Sequence, residues 1–246
     1  MNKIDKTICF FWVGDKIEIP QSLVQSIRLT MGDNINVVQL TNYETKEIKG
    51  VNSVKRFDLS SKIMIARLQS YNLYENETNY TFFCDADCIF INKLSLPNIE
   101  DINVFLSPRL KDFKINYNYP EYYEEFVNKT ASEVMPFLFC AIATKGNQQK
   151  FFKNLLDICL KLPNRFHRWY GDQYSLFLET RTRLKEFGLL DPNIYQYEIK
   201  EILMPKKLEQ IIESGCQILH FKGSQSKNHI EQTMLLLNYF LKKRND

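Results

Sequence analysis

The sequence predicts an α/β fold with a mostly parallel central sheet and helices on both of its faces. Apolar, β-prone runs alternate along the chain with amphipathic helical patterns, which is the order that a parallel sheet with crossover helices requires. The first run, residues 7–13, is apolar almost throughout, as expected of a strand covered on both faces. The 246 residues suffice for one core, and we therefore expect a single domain spanning residues 1–246.

The remaining elements follow from hydrophobic periodicity and from residues that begin or end helices. Further strands are predicted at residues 36–40, 80–84, 88–91, 103–107, 137–144 and 217–221. Helices are predicted at residues 20–31, 60–74, 148–162, 172–184 and 228–243. Ser60 or Ser61 can cap the second helix, and Leu160 is expected on the inner face of the third. The tyrosine-rich region 108–136 is interpreted as an inserted or lid-like segment.

The composition argues against nucleic acid as the primary ligand and gives no sign of a membrane span. The chain carries 32 basic and 29 acidic residues, a net charge of +3, whereas a nucleic-acid binder usually shows a strong basic excess. No stretch approaches the roughly 20 apolar residues that cross a bilayer, and residues 1–6 lack the apolar segment of a signal peptide. The six cysteines lie in or beside apolar runs, as free thiols do. We therefore expect a cytoplasmic protein.

An acidic turn between two apolar strands is the strongest functional signal. Asp85 and Asp87 are separated by one residue and follow a run of aromatic and apolar side chains. Ligands of open α/β sheets bind beyond the carboxyl ends of strands, and two aspartates on one turn suit Mn²⁺ or Mg²⁺. A solvated turn is the alternative, but charges between two buried strands are costly unless they bind something or face a cleft. Cys84 and Cys88 flank the turn without a matching second pair, so we do not expect zinc.

Three segments together resemble the GT-A fold glycosyltransferases. Residues 9–14 are similar to the opening nucleotide-binding strand of these enzymes. Residues 61–68, followed by Asp85-Ala86-Asp87, resemble their helix and Asp-x-Asp motif. His220-Phe221-Lys222-Gly223 resembles the His-x-x-Gly motif of glycosyltransferase family 8, which includes glycogenin and bacterial lipooligosaccharide galactosyltransferases.

The chain departs from family 8 at two places. The family motif continues Gly-x-x-Lys-Pro-Trp, whereas here the lysine is Lys227, one residue late, and no Pro-Trp follows. Phe139-Cys140-Ala141 stands where the family has an Asn-Ala-Gly or Asn-Ser-Gly segment. The resemblance therefore indicates the superfamily more strongly than family 8 itself.

The resemblance implies a GT-A-like Rossmannoid sandwich and a nucleotide-sugar-dependent transferase. The expected donor is a nucleoside diphosphate sugar, with UDP as the expected nucleotide, and the expected cofactor is Mn²⁺ or Mg²⁺ held by Asp85, Asp87 and His220. Such a metal neutralises the diphosphate leaving group. The expected acceptor is a hydroxyl group of a growing glycan, a surface polysaccharide or a lipid-linked sugar. No protein partner is implied.

The resemblance also assigns donor contacts and two catalytic candidates. The residues expected to bind the donor are Phe10, Phe11, Trp12, Val13, Lys62, Arg67, Asp85, Lys222, Gly223 and Lys227. The first four are expected to line the base and ribose, and the cations are expected to contact the diphosphate or the donor sugar. Asp172 and Gln173 resemble the Asp-Gln segment that faces the reacting carbon, and together with His220 they favour retention of configuration over inversion.

Several alternatives stay open. Asp172 could be a helix cap, or the general base of an inverting reaction, and Lys62 could face solvent. The apolar stripe and basic end of the helix 228–243 could rest on the inner face of an anionic membrane, or the helix could dock onto the core. A haloacid-dehalogenase-type phosphatase also places Asp-x-Asp after an apolar strand. An inactive glycosyltransferase-like binding module is the third interpretation of the chain.

Overall fold

A seven-stranded sheet forms the centre of the protein. The computed structural model describes residues 5–115, 126 and 128–245. The strands are β1 (Lys6–Phe11), β2 (Asn36–Thr41), β3 (Ser53–Arg56), β4 (Tyr80–Cys84), β5 (Cys88–Phe90), β6 (Val104–Pro108), β7 (Phe137–Lys145), β8 (Gly188–Leu189), β9 (Tyr197–Glu198) and β10 (Ile218–His220). The helices are α1 (Glu18–Met31), α2 (Ile63–Leu73), α3 (Ala131–Val134), α4 (Gln149–Lys161), α5 (Gly171–Thr180), α6 (Pro192–Tyr195), α7 (Pro205–Glu213), α8 (Ser224–Lys227) and α9 (Ile230–Asn245).

The sheet is mostly parallel, which confirms the predicted fold class. Its strand order is β3-β2-β1-β4-β7-β6-β8, and β7 alone runs antiparallel to its two neighbours. The pairs β3-β2, β2-β1, β1-β4 and β6-β8 are parallel. The order reverses between β1 and β4, and the carboxyl ends of these strands form the crevice in which open α/β sheets bind ligands.

Each face of the sheet has its own apolar core. On β1, Ile8 and Phe10 point to one face, where they pack with Leu23 and Ile27 of α1. Cys9 points to the opposite face, where helices α2, α4 and α5 pack. This alternation follows from the two-residue period of a strand. Helices therefore cover both faces, as the sequence predicts.

A small second sheet positions the chain that follows the acidic turn. Its order is β5-β10-β9, and β5 and β10 are antiparallel, with Cys88 opposite His220. A third apolar cluster, which includes Leu208 of α7 and Leu237 of α9, covers this sheet. The register of β5 and β10 brings the end of β10 beside the turn that leads into β5.

Several element boundaries differ from the sequence predictions. Strand β1 ends at Phe11, and helix α2 begins after Lys62, where Ser60 accepts a hydrogen bond from the Lys62 amide but no side chain caps the helix. Helix α5 ends at Thr180 because the exposed residues 181–183 offer no apolar face that would hold another turn. Leu160 of α4 is 53% exposed, so the buried stripe of that helix is narrower than predicted.

The expected inserted segment is described only in part. The prediction for its tyrosine-rich stretch concerns residues 116–125 and 127, which lie outside the described residues. Around it, Ile115, Phe126 and Val134 pack in a fourth apolar cluster with Phe166 and Tyr174, which lie just before and within α5. The ends of the segment are therefore anchored against the same part of the protein as α5, and a lid role stays a prediction.

The last helix docks onto the protein. Ile230 and Leu237 of the predicted stripe are buried, and Met234 and Leu241 pack against the same cluster. None of the helices built from the described residues combines the length and the apolar character that crossing a bilayer requires.

Candidate active site

A cavity of about 540 Å³ lies at the carboxyl ends of β1 and β4. We call it the donor cleft, after the nucleotide-sugar donor that the sequence resemblance leads us to expect. The residues that follow β1, Trp12 and Val13, form one wall, and Trp169 and Tyr170 before α5 form another. The acidic turn lies in its floor. Because the two parallel strands end at the same edge, the sheet itself positions the turn in the cleft.

The acidic turn is fixed by hydrogen bonds on both sides. The backbone amide of Asp85 donates to the carbonyl of Cys140 on β7, at 3.3 Å. The carbonyl of Asp87 accepts a hydrogen bond of 3.0 Å from the amide of Phe221, just after β10. Ala86 is buried in the core between the two aspartates. The backbone between the two sheets is therefore held in place, and both carboxylates border the cleft.

Asp87 has cationic partners on two sides. Lys227 Nζ lies 2.9 Å from Asp87 Oδ2, and His220 Nε2 lies 3.4 Å from Asp87 Oδ1. The side chains of Asp87 and His220 are only 12% and 7% exposed. Burial opposes ionisation of Asp87, but His220 and Lys227 hold its pKa below the usual range. Burial likewise opposes the charge on His220, but Cys140 and the Asp87 carboxylate raise the pKa of His220 well above its usual value.

The side chains of Asp85, Asp87 and His220 fit a divalent metal ion as ligands. Asp87 Oδ1 is buried and, within the described part of the chain, receives no well-directed hydrogen bond, although His220 is close. A buried carboxylate oxygen without a donor is costly unless a cation satisfies it. His220 Nε2 also lies 3.8 Å from Asp85 Oδ2, so the imidazole lies close to an oxygen of each carboxylate. These residue types suit Mn²⁺ or Mg²⁺.

Cys88 is a less suitable ligand than Asp85. Its sulfur, an oxygen of Asp87 and a ring nitrogen of His220 lie within 4.8 Å of one another. However, Cys88 is buried among apolar side chains, and burial raises the pKa of its thiol well above the usual value. A thiol must lose its proton to bind a metal, so this environment disfavours coordination. Asp85 instead offers a carboxylate that borders the cleft.

Arg67 links the acidic turn to helix α5. Its Nη1 atom lies 3.1 Å from Asp85 Oδ1 and 2.9 Å from Asp172 Oδ2. The guanidinium group also faces the ring of Phe139, 5.6 Å from its centroid. Asp85 and Asp172 raise the pKa of Arg67 against the effect of burial, so this side chain remains a cation.

Asp172 and Gln173 lie side by side at the start of α5. Asp172 is 1% exposed, and its Oδ1 atom accepts a hydrogen bond from the Gln173 amide at 2.8 Å. The capping position itself is Tyr170, which adopts φ of 63° and makes no side-chain cap. Gln173 Oε1 accepts a 2.6 Å hydrogen bond from Arg109 Nη2, and both Asp172 and Gln173 line the donor cleft.

The structure brings most of the predicted site residues together. The predicted residues that line the donor cleft are Phe11, Trp12, Val13, Arg67, Asp85, Asp87, Asp172, Gln173, His220, Lys222, Gly223 and Lys227. The side chain of Phe10 lies instead in the core, because alternation turns it away from the face that Phe11 occupies. Lys62 donates to Asn164 Oδ1 and approaches the ring of His167, so its ammonium group is held outside the cleft.

Arg109 is a site residue that sequence analysis missed. It follows β6 directly and contacts Gln173, which lies 64 residues later in the chain. The only sequence signal for it was a basic residue at the predicted carboxyl end of a strand, where ligand sites lie.

Comparison with known proteins identifies the fold. No protein-family model and no curated protein sequence matches the chain. Among solved structures, a glycosyltransferase involved in the glycosylation of the major capsid of PBCV-1 is similar with a TM-score of 0.58 and 10% identity, over 94% of this chain and 99% of the other. The chain therefore has the fold of glycosyltransferases, which agrees with the GT-A-like architecture that the sequence predicts.

Two further structures support the same assignment. The galactosyltransferase LgtC, solved with donor and acceptor sugar analogues, matches with a TM-score of 0.54 and 12% identity over 95% of each chain. The apo form of the glycosyltransferase GlyE of Streptococcus pneumoniae TIGR4 matches with a TM-score of 0.55 and 12% identity. That match covers 98% of this chain and 64% of GlyE.

Proposed function

We propose that the protein transfers a sugar from a nucleoside diphosphate donor to a hydroxyl group of an acceptor glycan, with a divalent metal ion in the donor cleft. The observation that carries this proposal is the convergence of Asp85, Asp87 and His220 on the floor of that cleft. The similarity to glycosyltransferase structures supports the reaction class. The Asp-x-Asp and His-x-x-Gly resemblances favour UDP as the nucleotide and Mn²⁺ as the metal.

The proposed site has three ligands for the metal ion and, separately, a lysine that could contact the diphosphate. Asp85, Asp87 and His220 would hold the metal, which when bound offsets the charge of the leaving nucleoside diphosphate. Lys227 contacts Asp87 in the structure. A metal held by Asp87 would neutralise this carboxylate, and the ammonium group of Lys227 would then be available to contact phosphate oxygens at the same edge of the cleft. Phe11, Trp12 and Val13 offer apolar surface for the base and ribose.

The surroundings of Asp172 favour retention of the anomeric configuration. A general base needs a carboxylate that can reach the acceptor hydroxyl and accept its proton. Asp172 is buried, and its two oxygens are occupied by Arg67 and by the Gln173 amide. Among the described residues that line the donor cleft, the other carboxylates are Asp85 and Asp87, which belong to the metal set. We therefore assign Asp172 to the positioning of Arg67 and α5, and Gln173 to contact with the donor sugar.

The phosphatase alternative fits the site less well. In that chemistry the first aspartate, here Asp85, must attack phosphorus, but Arg67 holds its Oδ1 atom and connects it to Asp172. The three solved structures compared above are glycosyltransferases. An inactive binding module would have the same cleft. Only a measurement of nucleotide-sugar turnover therefore distinguishes it from an enzyme.

Hydrolysis of nucleotide sugars tests the proposal. The purified protein is incubated with UDP-glucose, UDP-galactose, GDP-mannose and p-nitrophenyl phosphate, each with Mn²⁺ and with a chelator. We expect slow release of UDP from one of the UDP-sugars with Mn²⁺ and none in chelator. Cleavage of p-nitrophenyl phosphate alone would establish the phosphatase. Calorimetric binding of UDP with no turnover of any sugar, even with acceptors present, would establish the binding module.

The membrane expectation is a separate proposal. Since the predicted stripe of α9 is packed inside the protein, contact with a lipid surface would involve its exposed side chains, Leu235 and Tyr239. Lys242 lies one turn beyond Tyr239 and is also exposed. Sedimentation with anionic vesicles tests this proposal, and loss of binding in Leu235→Ser/Tyr239→Ser would support it.

A further inference from the structure

A second cavity of about 250 Å³ adjoins the donor cleft. We call it the side pocket. It shares Leu138, His220 and Lys222 with the donor cleft, so the two spaces meet next to the proposed metal ligands. Its outer wall is formed by residues that follow β6 and by residues of α6 and β9. A molecule in the side pocket therefore borders the place where a donor sugar would react.

The described lining of the side pocket carries an excess of positive charge. Arg109, Lys111 and Lys222 are cations, whereas Glu198 is the only carboxylate in that lining. Glu198 lies 3.5 Å from Lys111 Nζ and so is already paired. Within the described part of the chain, no carboxylate lies within ion-pair distance of Arg109 or Lys222. A cleft lined by one sign of charge attracts ligands of the opposite sign.

Arg109 and Lys222 contact the same aromatic ring. Both face the ring of Phe113, with the Arg109 guanidinium 5.5 Å and the Lys222 ammonium 6.0 Å from its centroid. Burial lowers the pKa of Arg109. Like charges that line one cavity cost stability, and an anion that binds in that cavity would offset the cost.

Two nitrogens of the Arg109 guanidinium donate hydrogen bonds to described residues. Its Nε atom donates to the carbonyl of Met135 at 2.8 Å, and Nη2 donates to Gln173 Oε1 at 2.6 Å. Its Nη1 atom makes no hydrogen bond to any described residue. The planar group is thus fixed in orientation and keeps donors for an oxyanion.

We propose that the side pocket binds an anionic group, a phosphate or a carboxylate, on the acceptor sugar. This inference rests on the proposed function, because it names the class of acceptor that the same site would use. Arg109 and Lys111 line the side pocket but not the donor cleft, so these two cations are not placed for the diphosphate of the donor. The contact between Arg109 and Gln173 connects acceptor binding to the residue assigned to the donor sugar.

Binding of small charged sugars tests the inference. UDP is titrated first with Mg²⁺, which reports on the donor cleft alone and so separates failure of the proposed function from failure of this inference. Glucose 1-phosphate, methyl β-D-glucuronide and neutral methyl β-D-glucoside are then titrated by calorimetry, with and without saturating UDP and Mg²⁺. We expect at least one charged sugar to bind about tenfold more tightly than the neutral one, in the range of a hydrogen bond to a charged group. The tighter of the two charged sugars distinguishes phosphate from carboxylate.

Variants locate the binding site. Lys111→Gln and Arg109→Gln should each reduce the preference for the charged sugar several-fold. If the half-buried Arg109 proves necessary for folding, the exposed Lys111→Gln variant alone tests the site. Lys114→Gln is the matched control, because Lys114 is exposed nearby but does not line the side pocket. Equal affinity for charged and neutral sugars would overturn the inference. So would a charge preference that persists in both variants, or one that saturating UDP removes.

Discussion

Arg67 holds two carboxylates at once, since its Nη1 atom lies 3.1 Å from Asp85 Oδ1 and 2.9 Å from Asp172 Oδ2. The Arg67 and Asp172 side chains are 17% and 2% exposed, whereas Asp85 at 26% borders the cleft. The Arg67 guanidinium therefore fixes both Asp85, a proposed metal ligand, and the start of α5, and it connects the acidic turn to that helix.

Loss of Arg67 should destabilise the protein. Arg67→Met leaves Asp172 as a buried charge without its partner, so we expect the free energy of unfolding to fall by about 3 kcal/mol. Asp172→Asn should recover part of this loss in the double variant, because the unpaired charge is then gone. Lys62→Met, on the turn before α2, should cost less than about 1 kcal/mol because its ammonium group contacts Asn164 and His167 and no carboxylate of the described residues. Urea denaturation measures the free energy of unfolding of the two single variants Arg67→Met and Asp172→Asn, of their double variant and of Lys62→Met. If the losses of the two single variants simply add in the double variant, the pairing of Arg67 with Asp172 is contradicted.

Asp172→Asn should separate positioning from proton transfer. If Asp172 orients Arg67, kcat should fall by less than about 10²-fold, the lower end of what a general base contributes. The product should then keep the anomeric configuration of the donor, and NMR of the product gives that configuration directly. An inverted product, together with a larger loss in Asp172→Asn, would instead make Asp172 the base.

Metal binding at His220 should depend on pH. The pKa of His220 is raised above its usual value, so the imidazole is protonated below that raised pKa and must lose a proton to bind a metal. Affinity for Mn²⁺ should therefore rise with pH up to that pKa, by at most about tenfold per pH unit for one proton, and then level off. His220→Ala should weaken Mn²⁺ binding and should remove the part of the pH dependence that comes from His220. High Mn²⁺ should partly restore its turnover.

His229→Ala is the control for this prediction, because His229 does not line the donor cleft. It should bind Mn²⁺ as the natural protein does. Calorimetry in buffers of different ionisation enthalpy counts the released proton. The same pH dependence in His220→Ala and in the natural protein would remove His220 from the metal set.

Lys227 should affect metal binding and turnover in opposite directions. Its ammonium group lies 2.9 Å from Asp87 Oδ2, so it competes with a cation for this carboxylate. Lys227→Met should bind Mn²⁺ several-fold more tightly without nucleotide, yet lose about 10²-fold in kcat, on the scale of one preorganised donor. Extra metal should not restore the rate. Lys206→Met, on the exposed side of α7, is the control, and an unchanged kcat in Lys227→Met would make the contact with Asp87 structural.

The long strands and helices could be predicted because their patterns are strong and local. Residues 7–13 and 137–144 are apolar runs, and β1 and β7 form there with small differences in length. Most of the elements that were missed are short, although the nine-residue helix α7 was missed as well. Strands β8 and β9 have two residues each, and they exist because β6 and β10 offer free edges rather than because of their own sequences. Pairing of this kind depends on tertiary context and leaves no periodicity.

The acidic turn could be predicted because its two carboxylates are adjacent in sequence. The contact of Arg109 with Gln173 could not, because 64 residues separate them and only the folded sheet brings them together. Phe10 and Lys62 show a second limit of prediction from sequence, since both were expected in the cleft and neither lines it. Whether a side chain next to a motif enters the cleft depends on strand alternation and on local partners such as Asn164.

The central claim is that Asp87 holds a metal ion that the transfer reaction needs. The most direct measurement is the rate of UDP release from the preferred UDP-sugar as a function of Mn²⁺, for the natural protein, Asp87→Ala and Asp33→Ala. Asp33, whose side chain is fully exposed, is the matched control. We predict that Asp87→Ala abolishes turnover at every Mn²⁺ concentration while a thermal melt shows that it is folded, and that Asp33→Ala behaves as the natural protein. Full activity of Asp87→Ala in the presence of a chelator would contradict the account.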